Sequence, residues 1–275
     1  MKSKNYLAII KSALKEDIKS GDLTSLSIFK PTDYCQAQLI SKQDGIIAGL
    51  KVFKKTFKIL DKKVKVKLLF KDGQACKNRD VIAEISGAVI SVLGAERVAL
   101  NLLQRMSGIA TYTKQFVELC EGRCQVLDTR KTVPNLRVLD KWAVKLGGGT
   151  NHRTGLYDMA LIKENHIKAA GGIIQAVDKV LKYDKHKHKI EVEVTNLEEL
   201  KTALSCDIDR IMLDNMDNAT MREAVEITAG KIDLEASGNV NLSTIADISK
   251  TGVDYISIGA LTHSVKAMDY SLQIK

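Results

Sequence analysis

Beyond about residue 106 the chain alternates short apolar runs with helix-patterned stretches, and this alternation restricts the fold more than any other feature. The runs are Val126–Arg130, Met159–Lys163, Ile190–Val194, Arg210–Asp214, Ile232–Ser237 and Tyr255–Ala260. Their centres lie roughly 20 to 35 residues apart, room for one strand and one helix in each repeat. Repeats of this kind build a parallel sheet covered by helices. Six units are too few for an eight-stranded barrel and suit a smaller barrel or a doubly wound sheet. No G-x-G-x-x-G follows the first run, which weakens a dinucleotide-binding reading.

The first hundred residues follow another grammar. Leu7, Ile10, Leu14 and Ile18 fall at helical spacing, so Met1–Asp17 reads as an amphipathic helix that Gly21 would end. From Cys35 to Gly87 the chain reads mainly as strands of an antiparallel sheet with helices. Val64, Val66, Leu68 and Phe70 alternate with Lys65, Lys67 and Leu69, Asp72-Gly73 supplies a turn, and Asp80–Ile85 resumes extended structure. Glu96–Ile109 is helical by pattern and bridges the two halves.

At 275 residues the chain has material for one large domain or two unequal ones. The net charge of +9 raises the question of nucleic acid, but aromatic residues make up only 5% and the lysines are dispersed. The densest basic run, Lys182–Lys189, reads as a solvated connection. Five cysteines without a C-x-x-C pair are best read as reduced thiols, and Cys120 and Cys124 lack the companions of a zinc site. No apolar stretch approaches the ~20 residues that span a bilayer. A cytoplasmic enzyme is expected.

Chemistry collects where the six runs stop: Asp128-Thr129-Arg130-Lys131, Lys163-Glu164-Asn165-His166, Glu191-Val192-Glu193, Asp214-Asn215, Glu235-Ala236-Ser237-Gly238 and Gly259-Ala260. One charged strand end marks only the return to solvent. Six in succession indicate a shared site at the carboxyl ends of parallel strands. Its cations are Arg130, Lys131, Arg153 and Lys163, with His152 beside them; its anions are Glu193 and Asp214. Converging cations repel unless an anionic ligand joins them, so the ligand carries several negative charges. Two carboxylates beside such a ligand invite hydrated Mg²⁺. Ser237-Gly238-Asn239 and Ile258-Gly259-Ala260 are small-residue turns whose amides suit a phosphate, although barrel geometry alone explains their glycines equally well. No nucleophile–base pair stands out. His166 reads as a backbone-bonding residue, and a Schiff-base role for Lys163 stays open.

Several blocks are similar to the quinolinate phosphoribosyltransferases: Glu16–Thr24, Glu96–Asn101, Asp128–Thr132, Gly147–Arg153, Leu161–His166, Leu234–Gly238 and Gly259–Ser264. They run in family order over nearly the whole chain. The resemblance implies an N-terminal α/β sandwich over residues 1–105 and an incomplete α/β barrel over 106–264, with 265–275 a candidate to rejoin the first domain. It implies Mg²⁺, phosphoribosyl pyrophosphate as donor and quinolinate as acceptor, in a homodimer or hexamer. Arg130, His152, Arg153 and Lys163 would clamp quinolinate, helped by Arg97 from a neighbouring subunit. Thr129 and Lys131 belong to the same substrate-binding block, with Lys131 at the pyrophosphate. Glu193 and Asp214 would serve the Mg²⁺–ribose side, and the two small-residue turns would hold the 5-phosphate. Glu164 and Asn239 depart from the common Asp and Gly, which touches only fine geometry.

Overall fold

The computed structural model describes residues 4–275. The chain opens with α1 (Lys4–Ile18), α2 (Leu23–Ile28), β1 (Tyr34–Ser41), β2 (Gly45–Ile46) and α3 (Leu50–Leu60). It continues through β3 (Lys65–Leu68), β4 (Ala75–Cys76), β5 (Val81–Ala88) and the long α4 (Val89–Cys120). Then follow β6 (Gln125–Leu127), α5 (Arg137–Leu146), β7 (Ala160–Ile162), α6 (Glu164–Ala170), α7 (Ile173–Asp184) and β8 (Ile190–Val194). The remainder is α8 (Leu197–Leu204), β9 (Arg210–Asp214), α9 (Asn218–Thr228), β10 (Asp233–Ser237), α10 (Ile245–Ile248), β11 (Tyr255–Ser257), α11 (Ala260–His263) and β12 (Tyr270–Ile274).

These elements form two compact units. The first takes the described residues up to Lys114 together with Thr132–Gly148 and Thr262–Lys275; the second is Gln115–Lys131 with Gly149–Leu261. A division at 105/106 would fall inside α4, which contains no proline and runs unbroken to Cys120. Thr132–Gly148, including α5, groups with the first unit although it lies between two barrel strands in sequence.

The first unit is built on an antiparallel sheet in the order β12-β1-β5-β3. One face, with Ala37, Leu39, Val66, Ala83 and Ile85, joins Phe53 and Phe57 of α3 and Val92, Ala95, Ala99 and Leu103 of α4 in a single core. The other face presents the polar side chains that alternate with these residues. Helix α3 lies within the stretch that reads as strands. Its start is set from a distance: one Asp72 carboxylate oxygen accepts from the amides of Gly49 at 2.7 Å and Leu50 at 2.8 Å. Gly108 sits in α4 because the segment before β12 crosses there, and a Cβ would lie 2.2 Å from the Lys266 carbonyl oxygen.

Arg105 ties three parts of this unit together. Its Nε and Nη2 donate to the two carboxylate oxygens of Asp140 on α5 at 2.9 and 2.8 Å, and Nη2 also reaches the Thr262 carbonyl at 3.2 Å. The Asp140 side chain is fully buried. Removing the guanidinium would leave that carboxylate buried without its partner, so Arg105→Ala is expected to lower unfolding stability by ~3 kcal/mol. Denaturant melts of the two proteins measure it; a difference near zero would contradict the role given to the pair.

The second unit carries a six-stranded, wholly parallel sheet in the order β6-β11-β10-β9-β8-β7. Strands β6 and β7 are its two edges, so the barrel is incomplete between them. The edge of β6 is partly covered by a parallel bridge from Leu127 to Thr150. Alternate residues along each strand share a face. Glu191 and Glu193 of β8 therefore point the same way, as do Arg210 and Asp214 of β9, and Glu235 and Ser237 of β10.

Candidate functional site

At the carboxyl ends of β7, β8 and β9 stand Lys163, Glu193 and Asp214. Lys163 Nζ is 2.5 Å from Glu193 Oε2, and the Glu193 side chain is only 11% exposed while that of Lys163 is half exposed. An ion-paired ammonium is the wrong state for Schiff-base chemistry, which needs the free amine. Burial raises the Asp214 carboxyl above its usual range, and the negative charge of Glu193 adds to this, with Lys163 and Lys131 opposing. Two hard carboxylates on neighbouring strand ends, repelling each other, are a donor set suited to a hydrated divalent cation.

The turn after β10 is fixed by close contact. Gly238 has φ +98°, and a Cβ there would lie 2.1 Å from Asn215 Oδ1. Asn215, itself left-handed at φ 55°, donates from Nδ2 to Asp214 at 2.8 Å and from its amide to the Ser237 carbonyl at 2.9 Å. Asn239 Nδ2 donates to Asn215 Oδ1 at 3.1 Å. Asn239 adopts φ 52°, a conformation that asparagine tolerates. The loop that would receive a phosphate is thus coupled to the Asp214 carboxylate. In the other small-residue turn, the Ile258 amide donates to the Leu127 carbonyl at 2.9 Å and is committed within the sheet. Gly259 and Ala260 follow it.

The Asp128–Lys131 block and the Asn151–Arg153 segment are joined by Asp128, which is fully buried. Its carboxylate accepts from Asn151 Nδ2 at 2.5 Å and from the His152 amide at 2.9 Å. Thr129 Oγ1 accepts from the Lys131 amide at 3.1 Å, closing a small turn. Burial and the neighbouring Arg130 guanidinium both work against the charge of Arg153. Two arginines so placed are stabilised by an anion between or beside them. Arg153 Nη1 also donates to the Met159 carbonyl at 3.2 Å.

His152 faces inward. Its Nδ1 accepts from the Arg153 amide at 2.7 Å, and its Nε2 lies 2.9 Å from Glu191 and 3.4 Å from Glu235. Burial works against a second proton on the ring and the two carboxylates favour one, but the only place for it is Nδ1, which already accepts from the Arg153 amide. Glu235 is held below the usual carboxylate range against its own burial by His152, Ser257 and Arg210. Glu191 is raised by burial. His166 has a local task, accepting from the Lys163 amide at 3.0 Å through Nδ1, as its backbone-bonding reading requires. Arg97 lies in the first unit, exposed on α4.

Sequence reasoning assigned no role to Asp128, Glu191, Glu235 or Arg210. The signal available for the glutamates was their spacing: Glu191 stands two residues before Glu193, and Glu235 two before Ser237, one layer deeper on the same face.

Comparison with known proteins settles the family. A model of the quinolinate phosphoribosyl transferase N-terminal domain matches residues 22–107, and that of the C-terminal domain matches residues 109–273. The chain belongs to this family. It is 45% identical over 260 residues to the probable nicotinate-nucleotide pyrophosphorylase (carboxylating) of Bacillus subtilis, covering 94% of this chain and 90% of that protein. It is also 45% identical over 286 residues to the chloroplastic nicotinate-nucleotide pyrophosphorylase (carboxylating) of Arabidopsis thaliana, covering 97% of this chain and 82% of that protein. The crystal structure of NadC from Streptococcus pyogenes matches with a TM-score of 0.97 at 39% identity, over 100% of this chain and 98% of that one. The family therefore brings with it both the two-domain α/β fold and the incomplete barrel.

Proposed function

We propose that this chain transfers the phosphoribosyl group of phosphoribosyl pyrophosphate to quinolinate with loss of CO₂, giving nicotinate mononucleotide and pyrophosphate. The observation that carries the reading is the set of strand-end groups in a member of this family: Arg130 beside Arg153, and Lys163, Glu193 and Asp214 together at neighbouring strand ends. Arg130, Arg153 and Lys163, with His152 behind them and Arg97 from a second copy of the chain, form the acceptor side. Thr129 and Lys131 serve the pyrophosphate. Ser237, Gly238 and Asn239, with Ile258, Gly259 and Ala260, hold the 5-phosphate.

The bond from the anomeric carbon to pyrophosphate breaks ahead of attack, leaving positive charge on the ribose. Glu193 and Asp214, fixed before the reaction begins, stabilise that charge. The quinolinate nitrogen forms the new bond to the anomeric carbon, with much of the rate coming from holding two reactants in register. The bond to the 2-carboxylate then breaks, CO₂ departs, and the pyridinium ring holds the electron pair until that carbon takes a proton. Glu193 and Asp214 would also hold Mg²⁺, whose charge offsets that of the departing pyrophosphate. The five free thiols fit a reducing, cytoplasmic setting, and no helix among the described residues is long and apolar enough to cross a membrane.

Turnover is expected to require Mg²⁺ and to select quinolinate over nicotinate, because a monoanion compensates less of the positive charge gathered in the site than a dianion does. Chromatographic detection of nicotinate mononucleotide and CO₂ from each pyridine tests this. Equal turnover of the two would remove the selectivity argument, and no product from quinolinate would remove the function.

A further inference from the structure

Below the candidate site, the barrel interior holds two carboxylates without a task in the reaction. Glu191 and Glu235 are both fully buried. Charge in such a place persists only where partners match it. Arg210 Nη1 lies 3.0 Å from Glu235, with its guanidinium 3.8 Å above the centre of the Tyr255 ring. Ser257 also supports Glu235, and His152 faces both carboxylates, its Nε2 2.9 Å from Glu191 Oε2 and 3.4 Å from Glu235 Oε2.

What the second ring nitrogen does decides the role of the cluster. Nδ1 accepts the Arg153 amide at 2.7 Å, so it carries a lone pair and the ring proton sits on Nε2, towards the carboxylates. A second proton, which those carboxylates favour, could go only to Nδ1, where the Arg153 N–H already points. Although His152, Glu191 and Glu235 lie close enough to surround an ion, a metal on Nε2 would need that nitrogen's lone pair as well, leaving the ring with no proton at all. Direct contact of a ring nitrogen with substrate is also disfavoured, because Nδ1 accepts from the Arg153 amide and Nε2 lies against the two buried carboxylates.

We infer that Glu191 and Glu235 are positioning residues for acceptor binding: they fix the His152 ring from inside the barrel, and the ring, through the Arg153 amide, fixes the direction in which the Arg153 side chain leaves the backbone. The inference rests on the reading of Arg153 as a ligand of the acceptor carboxylate. The His152 amide bond to Asp128 anchors the same segment from its other side, so the orientation of Arg153 is set by buried carboxylates on both flanks.

The test combines calorimetry, kinetics and nuclear magnetic resonance on the full-length protein. Glu191→Ala is expected to weaken quinolinate binding ~10-fold while leaving KM for phosphoribosyl pyrophosphate within about twofold. Glu191→Gln, which keeps an acceptor oxygen at similar reach, is expected to recover most of the affinity. In the double variant with Arg153→Ala, Glu191→Ala should add little, since the two act through one contact. If Arg153→Ala binds quinolinate like the wild type, the acceptor reading falls and this inference with it. If Arg153→Ala loses binding and Glu191→Ala keeps it, or the two losses add fully, only the positioning role falls. Should Glu191→Ala fail to fold, ¹⁵N shifts of the wild-type His152 ring still decide: the Nε2–H tautomer is expected, and an imidazolium or an Nδ1–H tautomer overturns the inference.

Discussion

Arg97→Ala is expected to lose quinolinate turnover ~100-fold or more while remaining folded and oligomeric, as when one charged partner of a buried ligand carboxylate is removed. Arg97 is exposed on α4 in the first unit, whereas every other candidate ligand belongs to the second. The proposal is that it completes the acceptor side of another subunit. That has a consequence no single-chain site shares. Lys163→Ala should be equally inactive, yet mixing the two variants should restore activity. In a mixed dimer, one site takes its barrel from the Arg97→Ala chain and its arginine from the Lys163→Ala chain, so both residues are wild type there. Random exchange makes half the dimers mixed, each with one restored site, so about a quarter of wild-type activity should return in a two-fold symmetric pair. Verified exchange without any recovery would show that Arg97 acts within its own chain or not at all.

The second large effect concerns the two anions. Glu193→Ala and Asp214→Ala are each expected to lower kcat ~1000-fold, in line with removal of a preorganised electrostatic group from a reaction that develops charge. Quinolinate affinity should change by less than ~3-fold, because the proposed role of these groups is towards the donor rather than the acceptor. Losing Glu193 leaves Lys163 without the partner 2.5 Å away, and that ammonium remains available to the acceptor carboxylates. Calorimetric loss of quinolinate binding in either folded variant would put the carboxylates in the wrong subsite.

Much of this was legible from residue order because parallel strands put their carboxyl ends together. The runs Ile190–Val194 and Arg210–Asp214 coincide with β8 and β9, and the polar residues that end them, Glu193 and Asp214, stand side by side. Features that depend on distant partners were not legible. Helix α3 reads as part of a strand region because the residue that caps it, Asp72, lies beyond its far end and β3. Asp128, Glu191 and Glu235 fall within the strand-end blocks, but that they are buried supports shows only once Asn151, His152 and Arg210 are folded against them. Within the first unit α5 is held to α4 by the Arg105–Asp140 pair, a contact without a periodic signature.

The position of β12 has a consequence for how the molecule is made. Residues Ala37 to Ser41 of β1 pair with Tyr270 to Ile274 of β12, so two nearly opposite stretches of the polypeptide share one ladder. A nascent chain emerging from the ribosome therefore holds β1 with that edge unpaired throughout translation of the barrel. The long loop must close before the pairing returns any stabilisation, which slows assembly of this sheet relative to its local hairpins and helices. Until then the open edge is a template for other extended segments, so production at high concentration should reward slow synthesis or chaperone cover more than changes to the barrel itself.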